Sequence, residues 1–427
     1  MLDGLRAILM LTPDQDSLDR RIAQEAGTLA ARGWTVDIYP THGPLDPHPS
    51  MLGPGVSMLP RPGQPTASRA RALKHLLRDT VPPLHRVVDH VQSRVTDRAR
   101  QIADWNAEYL LGHGPYAAVF AHDVPVLPLA LRIKGSTGAP VICDLHEIYS
   151  EMDTTASAGR TRAYWGRVEA TYLPQADGIL CVNAAVEEHA ARYREADVAI
   201  AVVRNSVPYV AEPHRPDCEI RSLYPIPPAN RVLAFAGRLV GDANVENLVL
   251  GFGRARLDGW SLALLGDGPL RRRLEELVAT HELAGRVFLG VRVPEPDLVP
   301  TLASAQAAAL PYVAVDRNHL ISTPNKLFEY AQARLPIAAS RLPMIERFIH
   351  EHGDGAFVDY SSVEGAAATL RRFVLMDLEG FSAETLEAVA RNVCWEKDEP
   401  MLLAVFEAAM ARRDRLGQTA AATISSG

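Results

Sequence analysis

The feature that most limits the folds open to this chain is a repeated alternation of short apolar runs with longer amphipathic stretches, joined by few residues. It begins at Arg6–Thr12, an apolar run stopped by Pro13. Leu18 to Arg32 then keeps a helical stripe, Gly33 supplies the stop, and Trp34–Tyr39 has strand composition. Strand, helix and strand with short links form a βαβ unit, and repeating it makes a parallel sheet with helices on its faces. Further strands are expected at Ala117–Ala121, Pro140–Asp144, Asp177–Asn183 and Ala199–Arg204. A proline-rich connection from Val210 to Asn230 interrupts the pattern, which resumes at Arg231–Ala236 and continues through Leu262–Leu265, Val287–Leu289, Ala307–Leu310 and Pro336–Ala339. The reading is α/β: two Rossmann-like, doubly wound domains at 1–208 and 209–397. Residues 398–427 supply helices, expected at Asp398–Arg412, that cross back to the first domain, and then a disordered tail.

At 427 residues and 47% hydrophobic, the chain can fill two cores of ordinary size. A net charge of −7 gives no reason to expect a nucleic-acid partner. Cys143, Cys181, Cys218 and Cys394 are far apart and stand at no metal-ligand spacing with histidine, so they read as isolated thiols in a reducing cytoplasm. No apolar run approaches the roughly 18 to 20 residues that span a bilayer, and the N-terminal run fits a buried strand better than a leader. No G-x-G-x-x-G follows the first strand of either domain, so a nicotinamide cofactor is not expected. Thr41–Ser68 reads as a loop. The basic helical insertion at about 61–110 holds nine Lys/Arg against three Asp between Arg61 and Arg100. Such a surface suits an anionic acceptor or an anionic membrane leaflet, and equally a solvated helix face.

Open α/β sheets bind ligands beyond the carboxyl ends of their strands, so those ends name the candidates. They are the loop from Thr12 to Arg21, the dipeptide His122-Asp123, and His146-Glu147 after Asp144. In the second domain Gly237 ends a strand and lets Arg238 point into the cleft, while Gly266-Asp267-Gly268-Pro269 makes a tight strand-to-helix turn. From Ser322 to Tyr330 a hydroxyl pair and a proline precede an apolar-periodic run, read as a helix from Asn325 to about Ala333. Its N-terminus can hold a phosphate, Lys326 adds a charge, and Glu329 one turn on can accept from vicinal hydroxyls. That set suits a nucleoside diphosphate, although the same residues would also serve a plain capped helix with solvated charges.

The segment Pro324–Ser340 resembles the donor-binding segment of GT-B glycosyltransferases of the family 4 type, and four others resemble the family in the same order: Phe235–Leu239, Leu264–Pro269, Val287–Gly290 and Val203–Pro208. The resemblance implies a sugar transferred from a nucleoside diphosphate to a hydroxyl, with retention and without a bound metal or cofactor. It implies donor contacts from Gly237, Arg238, Gly266, Gly268, Val291, Arg292, Thr323, Asn325, Lys326 and Glu329. The 290–294 loop would seat the base, and Glu329 would hold the ribose. Arg238 and Lys326 would stabilise the leaving diphosphate. Cys143–Glu151 resembles the family's DxHE segment, His122-Asp123 its H-D loop and Asp19–Ile22 its DxR segment, which places Arg21, His122, His146 and Glu147 at the acceptor and His122 and Asp123 near the chemistry. A dedicated base among these last two would instead mean inversion.

The sequence departs from the family twice. Ile321 stands where an acidic residue often touches the transferred sugar, and Ala243 or Asn244 replaces a phosphate-binding lysine. A glycan, lipid-linked or small-molecule acceptor, a place in polysaccharide biosynthesis and peripheral contact with the inner membrane face are the partners implied. The alternatives are a nucleotide-sugar epimerase, a sugar phosphorylase, or an inactive partner subunit of the same fold.

Overall fold

The computed structural model describes residues 6–13, 18–41, 52–60, 106–152, 158–241 and 244–425. The first sheet comprises β1 (Ala7–Thr12), β2 (Thr35–Pro40), β3 (Val56–Met58), β4 (Ala118–His122), β5 (Val141–Leu145), β6 (Gly178–Cys181) and β7 (Ala199–Val202). Its order is β3-β2-β1-β4-β5-β6-β7, with every pair parallel. The second contains β8 (Arg231–Ala236), β9 (Trp260–Leu265), β10 (Val287–Val291), β11 (Ala307–Leu310), β12 (Ile337–Ala339) and β13 (Gly355–Phe357), also all parallel, in the order β10-β9-β8-β11-β12-β13.

In each sheet the strand order reverses beside the first strand, between β1 and β4 and between β8 and β11. Loops that leave neighbouring strands at such a point diverge to opposite faces and open a crevice. The segments after β1, β4 and β8 therefore frame the cleft because of topology. The central strands are dry on both sides: Ile8 to Leu11 and Leu233 to Ala236 are essentially fully buried, as expected of parallel strands covered by helices.

Helix α1 (Arg20–Ala31) starts where the Asp19 side chain accepts the Arg21 backbone N–H at 2.8 Å. It buries Ile22, Ala26 and Leu29. Helix α2 (Asn325–Gln332) follows β11, and the last helix, α3 (Trp395–Ser425), leaves the second domain to lie on the first sheet. Leu402, Val405, Phe406 and Ala409 of α3 share an apolar core with Ile8, Met10, Ile22 and Leu180. Gly178 permits that approach, since a Cβ there would sit 2.8 Å from Val405 Cγ1. At the domain junction Arg204 Nε donates to both Asp398 oxygens at 2.9 and 3.1 Å, and Ser206 Oγ donates at 2.6 Å.

Three sequence expectations change. Val56–Met58, inside the segment read as a loop, adds an edge strand beside β2, and β13 was not foreseen. Each has three residues, too few to show a period. The expected tail continues α3 as helix to Ser425, because alanine and threonine run on without a glycine or proline stop beyond Gly417. Most of the basic insertion, 61–105, lies outside the described residues, and 106–113 is helical. No helix among the described residues is long and apolar enough to cross a membrane. All four cysteines are free thiols.

Candidate active site

The second domain supplies a floor of close-packed backbone. Gly237 has φ 140° and Gly266 φ 155°, both in the region glycine tolerates. A Cβ on Gly266 would lie 1.9 Å from the Gly237 carbonyl oxygen, so the two turns stack with no room for a side chain. A Cβ on Gly237 would lie 2.4 Å from Lys326 Cε and 2.7 Å from its Nζ. The lysine therefore lies across the end of β8, with its ammonium 5.6 Å from the Phe235 ring centre. Helix α2 begins at Asn325 as expected, yet no side chain caps it. Thr323 Oγ1 instead faces Asn183 Nδ2 at 3.4 Å, and Ser322 Oγ donates to the His319 carbonyl at 3.3 Å. In the first turn of α2 the Leu327 N–H donates to the Pro324 carbonyl at 3.0 Å.

The first domain contributes a buried network of charges. Arg21 is 1% exposed. Its Nε donates to Glu25 Oε1 at 3.0 Å, its Nη1 to the Val203 carbonyl at 2.5 Å, and its Nη2 to Asp144 Oδ1. The other Asp144 oxygen receives His122 Nδ1 at 3.0 Å and His146 Nε2 at 2.7 Å. Burial works against the imidazolium of His146, but the Asp144 and Asp123 carboxylates beside it win and raise its pKa to about 10. Burial lowers that of His122, which is therefore the neutral ring of the two. Asp144 is held well below the usual range despite its burial, by Arg21 and His146. Glu25 moves up to about 8, through burial and then the nearby Asp144 charge.

Asp123 anchors the turn after β5. Its Oδ1 accepts the backbone N–H groups of His146 and Glu147 at 2.8 and 3.3 Å, and its own backbone takes φ 68° to do so. Burial raises its pKa to about 7 against the pull of His146, and burial also raises that of Glu147.

Between these halves lies a cavity of about 670 Å³. Asp19, Asp123, His146, Glu147, Tyr149 and Trp165 line it from the first domain, and Tyr312, Thr323, Asn325 and Lys326 from the second. Asn205, at the junction, also lines it; its Nδ2 donates to Asn325 Oδ1 at 2.8 Å, while its own Oδ1 is buried with no hydrogen bond. The domains are further tied by Asn183 Nδ2 to the Ile321 carbonyl at 2.8 Å and by the Ile148 N–H to Asn318 Oδ1 at 3.0 Å. Ile321, where an acidic residue was sought, packs partly buried against the apolar cluster of the first domain.

The structure brings Asp123, His146, Glu147, Thr323, Asn325 and Lys326 into one cavity, with Gly237 beneath Lys326. Arg238 is exposed and makes no side-chain hydrogen bond or ion pair among the described residues. Val291 accepts the Gly266 N–H at 2.8 Å and donates to Tyr224 Oη at 3.1 Å, and Arg292 is exposed beyond it. Two placements differ from the sequence reading. Arg21 does not face the cleft: with Asp19 as cap, Arg21 falls on the buried side of α1, and all three nitrogens serve the protein. His122 is 1% exposed and does not line the cavity; it reaches the wall only through Asp144, whose oxygen it shares with His146.

The residue that does face the cleft from this helix is Arg20, which sequence reasoning missed because an N-cap one position away reassigns the whole helix face. Its Nη1 bonds Glu329 Oε1 at 3.0 Å and Glu295 Oε1 at 2.8 Å, across the domains. Asn205 was visible in the junction segment, but its polarity alone did not mark it as a cavity residue.

His122, Asp144 and His146 form the one group among the described residues whose ligand atoms could converge on a metal, lying within 4.8 Å of one another. The fit is poor. Asp144 is already saturated by Arg21 and both rings, so a cation would have to displace two ring protons beside a guanidinium.

Comparison with known proteins gives consistent results. The model of the glycosyl transferase 4-like domain matches residues 18–206, and that of glycosyl transferases group 1 matches 230–377. A search of curated protein sequences finds no match. Sucrose-phosphate synthase from Thermosynechococcus elongatus shares the fold at TM-score 0.60 and 17% identity, over 98% of this chain and 100% of that one. The UDP-forming α,α-trehalose-phosphate synthase from Burkholderia xenovorans aligns at TM-score 0.66 and 14% identity, over 94% and 99%. HepE from Anabaena, solved in complex with UDP-glucose, aligns at 0.63 and 14%, again over 94% and 99%. Matching models over both sheets and a GT-B architecture shared along nearly the full length lead to one assignment: the chain belongs to the group 1 glycosyltransferases and is a transferase of the GT-B fold.

Proposed function

We propose that the enzyme moves a sugar from a nucleoside diphosphate to a hydroxyl acceptor, with retention and without a bound metal. The observation that carries this reading is Lys326 lying over Gly237 at the uncapped start of α2, facing His146 and Glu147 across one cavity. In departure of the diphosphate, negative charge grows on the β-phosphate. Lys326 and the α2 N–H groups supply fixed positive charge there, so little reorganisation is needed as the bond breaks. Glu329 fixes the ribose and so the orientation of the sugar. Neighbouring folds solved with UDP and UDP-glucose support a uridine donor.

On the acceptor side, Glu147 and the imidazolium of His146 hold hydroxyls, and Asn205 Oδ1 offers a buried acceptor with no other partner. Asp123 has its Oδ1 committed to two backbone N–H groups, which suits an anchor better than a general base, and the departing phosphate takes the acceptor proton in front-face attack. The test is release of nucleoside diphosphate from UDP-glucose, GDP-mannose and ADP-glucose. One donor should turn over, and Lys326→Ala should lower the rate about 10²-fold. Turnover unaffected by Lys326→Ala would refute the assignment. If NMR of the product shows an inverted anomeric centre, Asp123 is the base instead.

A further inference from the structure

We infer that Arg20, a residue of the acceptor-side domain, is a positioning residue for the donor's ribose: it fixes Glu329 and ties the nucleoside pocket to the closed cleft. This rests on the donor reading above. The guanidinium crosses from the start of α1 and touches two elements of the other domain with a single nitrogen. One is α2, which carries Glu329. The other is the helix Glu295–Leu302, which follows the 290–294 loop expected to seat the base. Arg20 thus joins both walls of the proposed nucleoside pocket from outside their own domain.

The pair is well placed to act at a distance. Side-chain exposure is 15% for Arg20 and 10% for Glu329, so water screens the contact little, whereas Glu295 at 41% is the weaker partner. Arg20 holds Glu329 through one oxygen only, Oε1, and a carboxylate has lone pairs enough to keep that contact while accepting ribose hydroxyls. Arg20 Nη2 is buried with no hydrogen bond, so the guanidinium keeps an unused donor. Of the other cross-cleft contacts near the cavity, those at Asn183, Asn205 and Ile148 are neutral, and the charged one, Arg317 Nε to Glu151 Oε2 at 3.2 Å, is more exposed and touches neither Glu329 nor Glu295. Opening the domains would free the Glu329 carboxylate to turn. Ribose binding and closure would then be linked through Arg20, each favouring the other by the same factor.

The test is calorimetric titration of UDP, GDP and ADP, and of the 2′,3′-dideoxy form of whichever binds, into wild type, Arg20→Ala and Arg20→Lys. Arg20→Ala should weaken the ribonucleotide about tenfold and leave the dideoxy form, which has nothing to offer Glu329, unchanged. Arg20→Lys should recover part of the loss, and the unliganded melting temperatures report whether each variant is folded. Equal losses for both nucleotides would assign Arg20 a merely structural role and overturn the inference. So would unchanged or tighter ribonucleotide binding in Arg20→Ala, the latter marking a contact that competes with the donor. If no nucleotide binds the wild type, the donor reading falls and takes this one with it. If a nucleotide binds and Glu329→Ala abolishes the ribose preference while Arg20→Ala does not, the donor reading stands alone.

Discussion

Glu25 shows how far a single side chain can set the pH response of this protein. It is fully buried, bonded to Arg21, and its pKa is raised from the usual carboxyl range to about 8, first by burial and then by Asp144. A group whose pKa is raised by folding stabilises the native state below its unfolded value and loses that contribution as pH rises through the folded value. For Glu25 the loss runs from about 4.5 to about 8. His146 acts in the same direction between its ordinary 6.5 and about 10. Asp144 and His122, whose pKa values are lowered, oppose this on the acid side. The melting temperature should therefore peak in mildly acidic buffer and fall toward pH 9. Glu25→Gln keeps an oxygen for Arg21 Nε but cannot ionise, so it should flatten the fall between pH 6 and 8, measured by differential scanning fluorimetry; an unchanged slope would place the titration elsewhere. At this scale the sequence was half legible. His146 and Glu147 were named from their place after a strand. Arg21 was misplaced, because one residue of helix register turns a side chain by about 100°, and no pattern in Asp19-Arg20-Arg21 says which arginine faces inward.

Elements were more legible than residues, and the reason is physical. A buried parallel strand needs a continuous apolar run, and every central strand here has one. The two that escaped notice, β3 and β13, are edge strands of three residues whose pairing depends on neighbours the sequence does not display. The turns after β8 and β9 were legible as glycines, but the reason for two of them was not. Only the fold shows that Gly266 lies against the Gly237 carbonyl, so each turn needs the other. Gly266→Ala meets both a φ of 155° and backbone at 1.9 Å. It should cost about 1–3 kcal/mol of stability from the strained backbone alone. It should also weaken nucleotide binding, since Lys326 rests on the displaced turn. A variant with wild-type melting temperature and affinity would show that the turns move apart freely.

At the scale of the whole molecule the two domains are not independent. The first sheet is completed by α3, a helix that follows the entire second domain in the chain, and a crossing back was expected from the sequence while its full length was not. Phe406 packs edge-on against Trp34, with ring centres 5.4 Å apart, and lies against Phe120 at 6.1 Å. Arg412 ties the same helix to Asp177, Glu195 and Asp197. Truncating Phe406 to alanine removes a buried ring that sits 5% exposed, which in a well-packed core costs about 3–5 kcal/mol. All of that loss falls on the first domain, although residue 406 is remote from it in sequence. The proposed nucleotide site, by contrast, is built mainly from α2 and the glycine turns of the second domain, and binding stabilises whichever unit holds the ligand. Calorimetry of Phe406→Ala with saturating nucleotide should therefore resolve two transitions, the lower one insensitive to ligand and the upper one raised by it. A single transition shifted as a whole would mean that Arg20, Asn205 and Asp398 couple the domains more strongly than α3 supports the first.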